Sequence, residues 1–357
     1  MRVDCWQMTA QGRPLERAVR EEPSVGAGEV VVEVAGCGIC HTDLGYLDEG
    51  VPTRGKLPLT LGHEISGRVV DCGAGAGEWR GRAVVVPAVL PCGECDLCRA
   101  GRGSICKKQI FPGNDVHGGF ASHVRVPARG LCPVPDDLRG APVDLVELAV
   151  LADAITTPFQ AIRRSGLRRG ELAVFVGAGG VGGFGVQIAA ALGATVVAID
   201  VDAARLVPLA DHGAALTIDA SKSDAAGVKA TLRALAKERG LPPVCWKLFE
   251  TSGSAAGQEL AFALLGPGAW LGVVGFTSKS VNVRLSNLMA FDATAQGNWG
   301  CAPELYPEAL ELVLRGKVAV RPFVQRRPMS QIQDALAAVR TKQVKQRVVL
   351  EPDFASA

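Results

Sequence analysis

The sequence predicts an α/β protein of two domains, one carrying a parallel, doubly wound sheet and the other turn-rich β structure. Three observations carry this expectation. The 357 residues exceed what one hydrophobic core usually organises. Beyond about residue 155, short apolar strands alternate with helical patterns. Before about residue 150, apolar runs are broken by glycine and proline clusters.

The β region comes first. Runs at 29–34, 67–71, 82–87 and 121–126 have strand length and turn-forming borders. The texture then changes. Residues 171–176 form an apolar strand followed by a glycine turn. A helix comes next, with Val181, Phe184, Ile188 and Leu192 on one face, and Gly193 ends it. Further strands are expected at 195–199, 214–218, 244–249 and 270–274. That rhythm implies right-handed βαβ units and a parallel sheet. A helix over 303–314 and β-like ends close the chain.

Composition excludes several function classes. Lysine and arginine total 38 against 36 acidic residues, a net charge of +2. Near-neutrality leaves no electrostatic footprint for nucleic acid or an anionic membrane. The N-terminus lacks an apolar run of signal-peptide length, and no stretch of about 18 apolar residues spans a bilayer. A soluble, cytoplasmic protein is expected. Eleven cysteines in that setting point to metal or catalysis before disulfides.

Three constellations carry chemistry. Gly177-Ala178-Gly179-Gly180-Val181-Gly182 follows the strand and opens the helix. Its glycines permit a tight turn, close approach of backbone to a pyrophosphate, and close packing of helix on strand. Asp200 ends the next strand, where a carboxylate accepts from a ribose 2′-hydroxyl and repels a 2′-phosphate, favouring NAD over NADP. Arg205 is placed either over the adenosine ribose or on a solvated helix face. Cys92, Cys95, Cys98 and Cys106 offer four thiolates in one lobe (88–110), a closed structural zinc site; an iron–sulfur cluster is the competing assignment. Cys40 and His63 supply a thiolate and an imidazole for an open, catalytic zinc.

These residues together bear a family resemblance. GCGICHTD (36–43), GHE (62–64), the four-cysteine lobe, GAGGVG (177–182) and Asp200 resemble, in order and spacing, the zinc-containing medium-chain dehydrogenase/reductase (alcohol dehydrogenase) family. The resemblance covers essentially the whole chain. It implies a GroES-like catalytic domain from 1–154 and 291–357, a Rossmann NAD-binding domain over 155–290, and one structural and one catalytic zinc per chain. It further implies Cys40 and His63 as catalytic zinc ligands, Thr42 as the hydroxyl that removes the substrate proton, and Asp43 as the group orienting His63. Glu64 becomes an alternate ligand or neighbour of the metal, and His41 and Arg347 become pyrophosphate contacts. A homodimer or homotetramer is also implied. Two positions depart from the pattern. Asp153 stands where the third ligand is usually cysteine, giving a Cys/His/Asp set that holds metal less softly. Gly45 stands where many relatives pass the proton through histidine.

Within the family, LADAITTPFQAI (151–162) and GNWGCAPELYPEALELV (297–313) most resemble the 6-hydroxycyclohex-1-ene-1-carbonyl-CoA dehydrogenases of aromatic degradation. That implies a small-molecule substrate that is a CoA thioester, oxidised at a secondary ring alcohol, with Asn298, Trp299 and Cys301 as candidates for the substrate cleft. The run Arg163, Arg164, Arg168 and Arg169 reads as a solvated face rather than a CoA phosphate site. A broader secondary-alcohol or polyol dehydrogenase and a non-catalytic nucleotide- or zinc-binding protein remain the alternatives.

Overall fold

The computed structural model describes residues 1–22 and 24–354. Pro23 and residues 355–357, the end of the segment assigned to the catalytic domain, lie outside the described residues. The chain forms two compact units. Met1–Thr156, Gly300–Leu314 and Phe323–Ala357 make up the first, and Thr157–Trp299 with Arg315–Pro322 the second.

The first unit is built on a seven-stranded sheet. Its longest strand, Glu29–Gly38, pairs antiparallel with Glu64–Cys72 and with His123–Pro127. The late strand Arg347–Glu351 returns to pair antiparallel with Glu29–Gly38, so segments before and after the second unit's residues share one sheet. Val30, Val32, Ile65, Val84, Val86 and Leu350 point into its core. Two strands that alternation had not singled out, Arg2–Gln7 and Glu16–Glu21, form a separate antiparallel pair.

The second unit holds six parallel strands. Their spatial order is Ala214–Asp219, Thr195–Asp200, Leu172–Val176, Lys247–Glu250, Trp270–Val273, Thr294–Gly297. Numbered along the chain this is 3-2-1-4-5-6, with the order reversing between Leu172–Val176 and Lys247–Glu250. Ligands of doubly wound sheets bind beyond the carboxyl ends of the strands at that reversal. Leu172–Val176 is buried at every position, as a central parallel strand covered on both faces must be. Phe175 stacks on Phe249 with centroids 4.6 Å apart, and Phe249 tilts against Trp270.

Three expectations need correction. The nucleotide-binding segment does not stop at 290: Thr294–Gly297 is the sheet's edge strand, paired in parallel with Trp270–Val273. Residues 315–322 also return to this unit, where the Gln187 amide both accepts from Ala319 N–H (2.7 Å) and donates to Ala319 O (3.2 Å). The strand expected at 244–249 begins only at Lys247, because Cys245 adopts a φ of 60°, outside the extended region. Val181 caps the Gly182–Ala191 helix rather than lying inside it. Among the described residues, no helix is long and apolar enough to cross a membrane.

His117 makes the stability of the first unit pH-dependent. Thr60 N–H donates to its Nδ1 at 3.2 Å, and burial, with the charge of Arg20 adding to it, pushes its pKa down to about 4. The folded chain therefore keeps His117 neutral while the unfolded chain takes up a proton near 6.5. Stability from this group is full above about pH 6.5 and is lost as pH falls toward 4. His117→Gln, which keeps an acceptor, should flatten the pH dependence of the urea midpoint across that window; an unchanged slope would remove His117 as its source.

Candidate metal and nucleotide sites

The first unit gathers Cys40, His63, Glu64 and Asp153, whose ligand atoms all lie within 4.8 Å of one another. Local sequence explains each placement. Cys40 caps the helix His41–Asp48, and Asp43, three residues on, closes a capping box by accepting Cys40 N–H at 2.9 Å. The other Asp43 oxygen accepts Gly62 N–H (3.2 Å) and lies 3.7 Å from His63 Nδ1. Held on that side, the imidazole turns Nε2 toward Asp153 Oδ2, 3.6 Å away. Gly62 adopts a φ of +89°, and a Cβ there would meet Cys37 Sγ and the Phe120 ring at 2.7 Å.

The donor set fits a zinc ion. At bond lengths of about 2.3 Å to sulfur and 2.0–2.2 Å to nitrogen or oxygen, tetrahedral ligands stand about 3.6 Å (S to O) and about 3.4 Å (N to O) apart. Cys40 Sγ lies 3.8 Å and His63 Nε2 3.6 Å from Asp153 Oδ2. Burial opposes charge on His63, yet the contacts with Asp153, Asp43 and Cys40 outweigh it and hold its pKa well above the ordinary range. A field that favours a proton so strongly also favours a divalent cation at the same face. Thr42 Oγ1 sits 3.5 Å from Cys40 Sγ, beside the ligand cluster. His41 is exposed at the start of the helix, and Gly45 is buried inside it.

Behind these residues lies a buried ion pair. Arg347 binds both Glu64 oxygens, with Nε at 2.9 Å from Oε2 and Nη2 against Oε1, and lies 3.9 Å from Asp153 Oδ2. Sheet register brings them together, since Gly38 pairs with Glu64 on one side and with Val349 on the other. A Cβ at Gly38 would come within 2.0 Å of Glu64 Oε2, so the carboxylate occupies the space a side chain would fill. Arg347 is thus a structural partner of Glu64 within this unit.

In the cysteine lobe, Sγ atoms of Cys92, Cys95, Cys98 and Cys106 stand 3.5–3.9 Å apart along four of their pairs. Tetrahedral zinc thiolates stand about 3.8 Å apart. A multi-iron cluster places irons and bridging sulfides between its thiolates and needs wider spacing, so the lobe fits one four-coordinate ion such as zinc rather than such a cluster.

The second unit carries the nucleotide loop. Gly177 adopts a φ of +102°, and a Cβ there would strike Ser252 N at 2.4 Å; one at Gly182 would strike Gly177 O at 1.8 Å. Gly179 lies under Arg205, whose Nη1 would be 3.1 Å from a Cβ, while Gly180 and Val181 lead into the helix. Asp200 accepts Ala178 N–H (2.7 Å) and Asp202 N–H (2.9 Å), fixing its carboxylate against the loop.

Sequence reading overlooked two groups at these places. Thr251 Oγ1 donates to Gly177 O at 2.7 Å. Glu250, fully buried, accepts from Ser252 N–H (2.8 Å) and Ser252 O–H (2.6 Å) and shapes the neighbouring turn. Burial pushes its carboxyl pKa up. Glu250 ends a short strand and Thr251 follows it, and that position was their one visible signal. Of the cleft candidates, Asn298 bonds Gln160, Arg164 and Thr157 O within the second unit, and Cys301 is buried in the first.

Comparison with known proteins adds to this geometry. Residues 26–136 match the family model described as alcohol dehydrogenase GroES-like domain, and 180–315 match zinc-binding dehydrogenase. The chain is 30% identical to an alcohol dehydrogenase of Geobacillus stearothermophilus over 95% of this chain and 96% of that protein. It is 28% identical to galactitol 1-phosphate 5-dehydrogenase of Escherichia coli over 84% and 85%. The solved alcohol dehydrogenase of Aeropyrum pernix superposes with a TM-score of 0.86 at 29% identity, covering 98% of this chain and all of the other.

Two measurements check these sites. Metal analysis of the zinc-loaded protein should find two ions per chain. Cys98→Ser should lose one and Asp153→Ala the other, so loss of both from either variant would contradict two separate centres. Asp200→Ala should weaken NAD binding by roughly tenfold or more and narrow the gap to NADP. Undiminished preference for NAD would exclude Asp200 as the discriminating group.

Proposed function

The chain belongs to the zinc-containing medium-chain alcohol dehydrogenase family, and we propose that within it this enzyme oxidises a secondary alcohol to a ketone with NAD. One observation carries the reading: Cys40 Sγ, His63 Nε2 and the Asp153 carboxylate converge beside the Thr42 hydroxyl. Zinc held there supplies Lewis acidity toward an alcohol oxygen, and NAD held on the 177–182 loop supplies the hydride acceptor.

The protein's own groups do the rest. Asp43 keeps His63 in the orientation that leaves Nε2 for the metal. Thr42 Oγ1 takes the substrate hydroxyl proton. Gly45 has no side chain to pass it on, so the proton must leave Thr42 by another route, through water or a further residue. His41, at the exposed start of its helix, remains the proposed pyrophosphate contact. The assignment of NAD rests on Asp200, whose negative charge disfavours a 2′-phosphate.

The secondary alcohol is favoured by the Escherichia coli relative, whose name places its oxidation at carbon 5 of a polyol phosphate, an internal carbinol. A finer reading takes the substrate to be 6-hydroxycyclohex-1-ene-1-carbonyl-CoA, and its support is the pair of stretches 151–162 and 297–313. The proposal carries a cytoplasmic setting, where the four lobe thiols stay reduced for zinc, and a homodimer or homotetramer.

The deciding assay follows NADH formation with the thioester, with free cyclohexanol and with polyols. Turnover of secondary alcohols, fastest on the thioester, is the expected result. Activity on free alcohols alone would exclude the thioester and leave the secondary-alcohol reading standing. No turnover of any alcohol by fully zinc-loaded protein would overturn both readings in favour of a non-catalytic role.

A further inference from the structure

Asp153 poses a mechanical problem that a cysteine ligand does not. Its ligand atom lies one rotatable bond further from the backbone than a thiolate, so its place depends more heavily on how firmly the flanking peptides are held. The turn Glu147–Ala152 leads into it. Its start is secured locally, since Asp144 N–H donates to Glu147 Oε2 and Glu147 N–H to Asp144 Oδ1. Its end is secured from far away.

Tyr306 opens the helix Tyr306–Leu314 and is fully buried. Its hydroxyl donates to Ala152 O at 2.5 Å and accepts Ala88 N–H at 3.3 Å. That same Ala88 N–H also reaches Ala152 O, at 3.3 Å. On the other flank, Ala154 N–H donates to Glu64 Oε1 at 3.1 Å, and Arg347 holds Glu64. The peptides on either side of Asp153 are therefore pinned to two buried anchors, an aromatic hydroxyl before it and an ion pair after it. Burial pushes the Tyr306 pKa well above its usual value, so the hydroxyl stays protonated and remains a donor. These bonds also link the stretches 151–162 and 297–313, because Tyr306 lies in the second and Ala152 in the first.

We propose that Tyr306 is a positioning residue for the catalytic metal site: by bracing the Ala152 carbonyl it holds the Asp153 carboxylate at ligand distance from Cys40 and His63. This inference rests on the metal site read above. Without the hydroxyl, Ala152 O keeps only the longer bond from Ala88, and the carboxylate gains freedom that metal binding must then remove.

The test is Tyr306→Phe, which retains the ring and its volume, compared with Leu310→Ala in the same helix, where Leu310 is also buried. Zinc affinity is measured by chelator competition on the full-length protein. Tyr306→Phe should bind the catalytic zinc roughly tenfold more weakly, within the range for losing groups that orient metal ligands, while the four-cysteine lobe keeps its ion. The visible spectrum of the cobalt-substituted site should shift. Leu310→Ala should lower thermal stability but leave affinity and spectrum unchanged. Wild-type affinity and spectrum in Tyr306→Phe would overturn the proposal, as would equal weakening in both variants, which marks general packing. A wild-type chain that binds a single zinc would overturn the metal reading itself and the brace with it.

Discussion

The buried pairing of Glu64 with Arg347 is the interaction on which the first unit's chemistry depends. Two full charges removed from water are tolerable only when each satisfies the other with good geometry. Arg347 meets both oxygens of Glu64, and Ala154 N–H adds a third bond. Losing either partner would strand a buried charge at a cost of about 3–5 kcal/mol. The pair also joins a strand from the start of the chain to one from its end, through the register of Gly38 with Glu64 and Val349. The ligand cluster is assembled on that junction.

The metal centres divide the work. The four-cysteine lobe is closed, with all its donors drawn from one short segment, and suits a structural ion. The second candidate centre draws its donors from three separate segments and sits beside the Thr42 hydroxyl. In the nucleotide unit, precision comes from absent side chains. Gly177 and Gly182 leave no room for a Cβ, and Asp200 and Thr251 tie the loop to the sheet's carboxyl edge.

Much of this was legible from residues alone, for identifiable reasons. The glycine loop, Asp200 and the cysteine lobe are local patterns in which the spacing itself is the geometry. The parallel order of the second sheet follows from its strand–helix rhythm. Thr294–Gly297 was missed because an exposed edge strand shows neither alternation nor an apolar run. Glu16–Glu21 was missed because it buries no residue fully and carries charge along most of its length, whereas Arg2–Gln7 does alternate but is too short to stand out without its partner strand.

The chain by itself therefore determined the fold class, a GroES-like and a Rossmann-like unit, and pointed to the nucleotide loop and the two candidate ligand sets, because each depends on residue type at short or family-like spacing. Tertiary structure alone decided how those ligands are held. Arg347 is 283 residues from Glu64, and Tyr306 is 154 residues from Ala152. Contacts at that separation leave no periodicity or spacing in a sequence. They exist only once sheet register and helix packing bring the two ends of the chain together around Asp153.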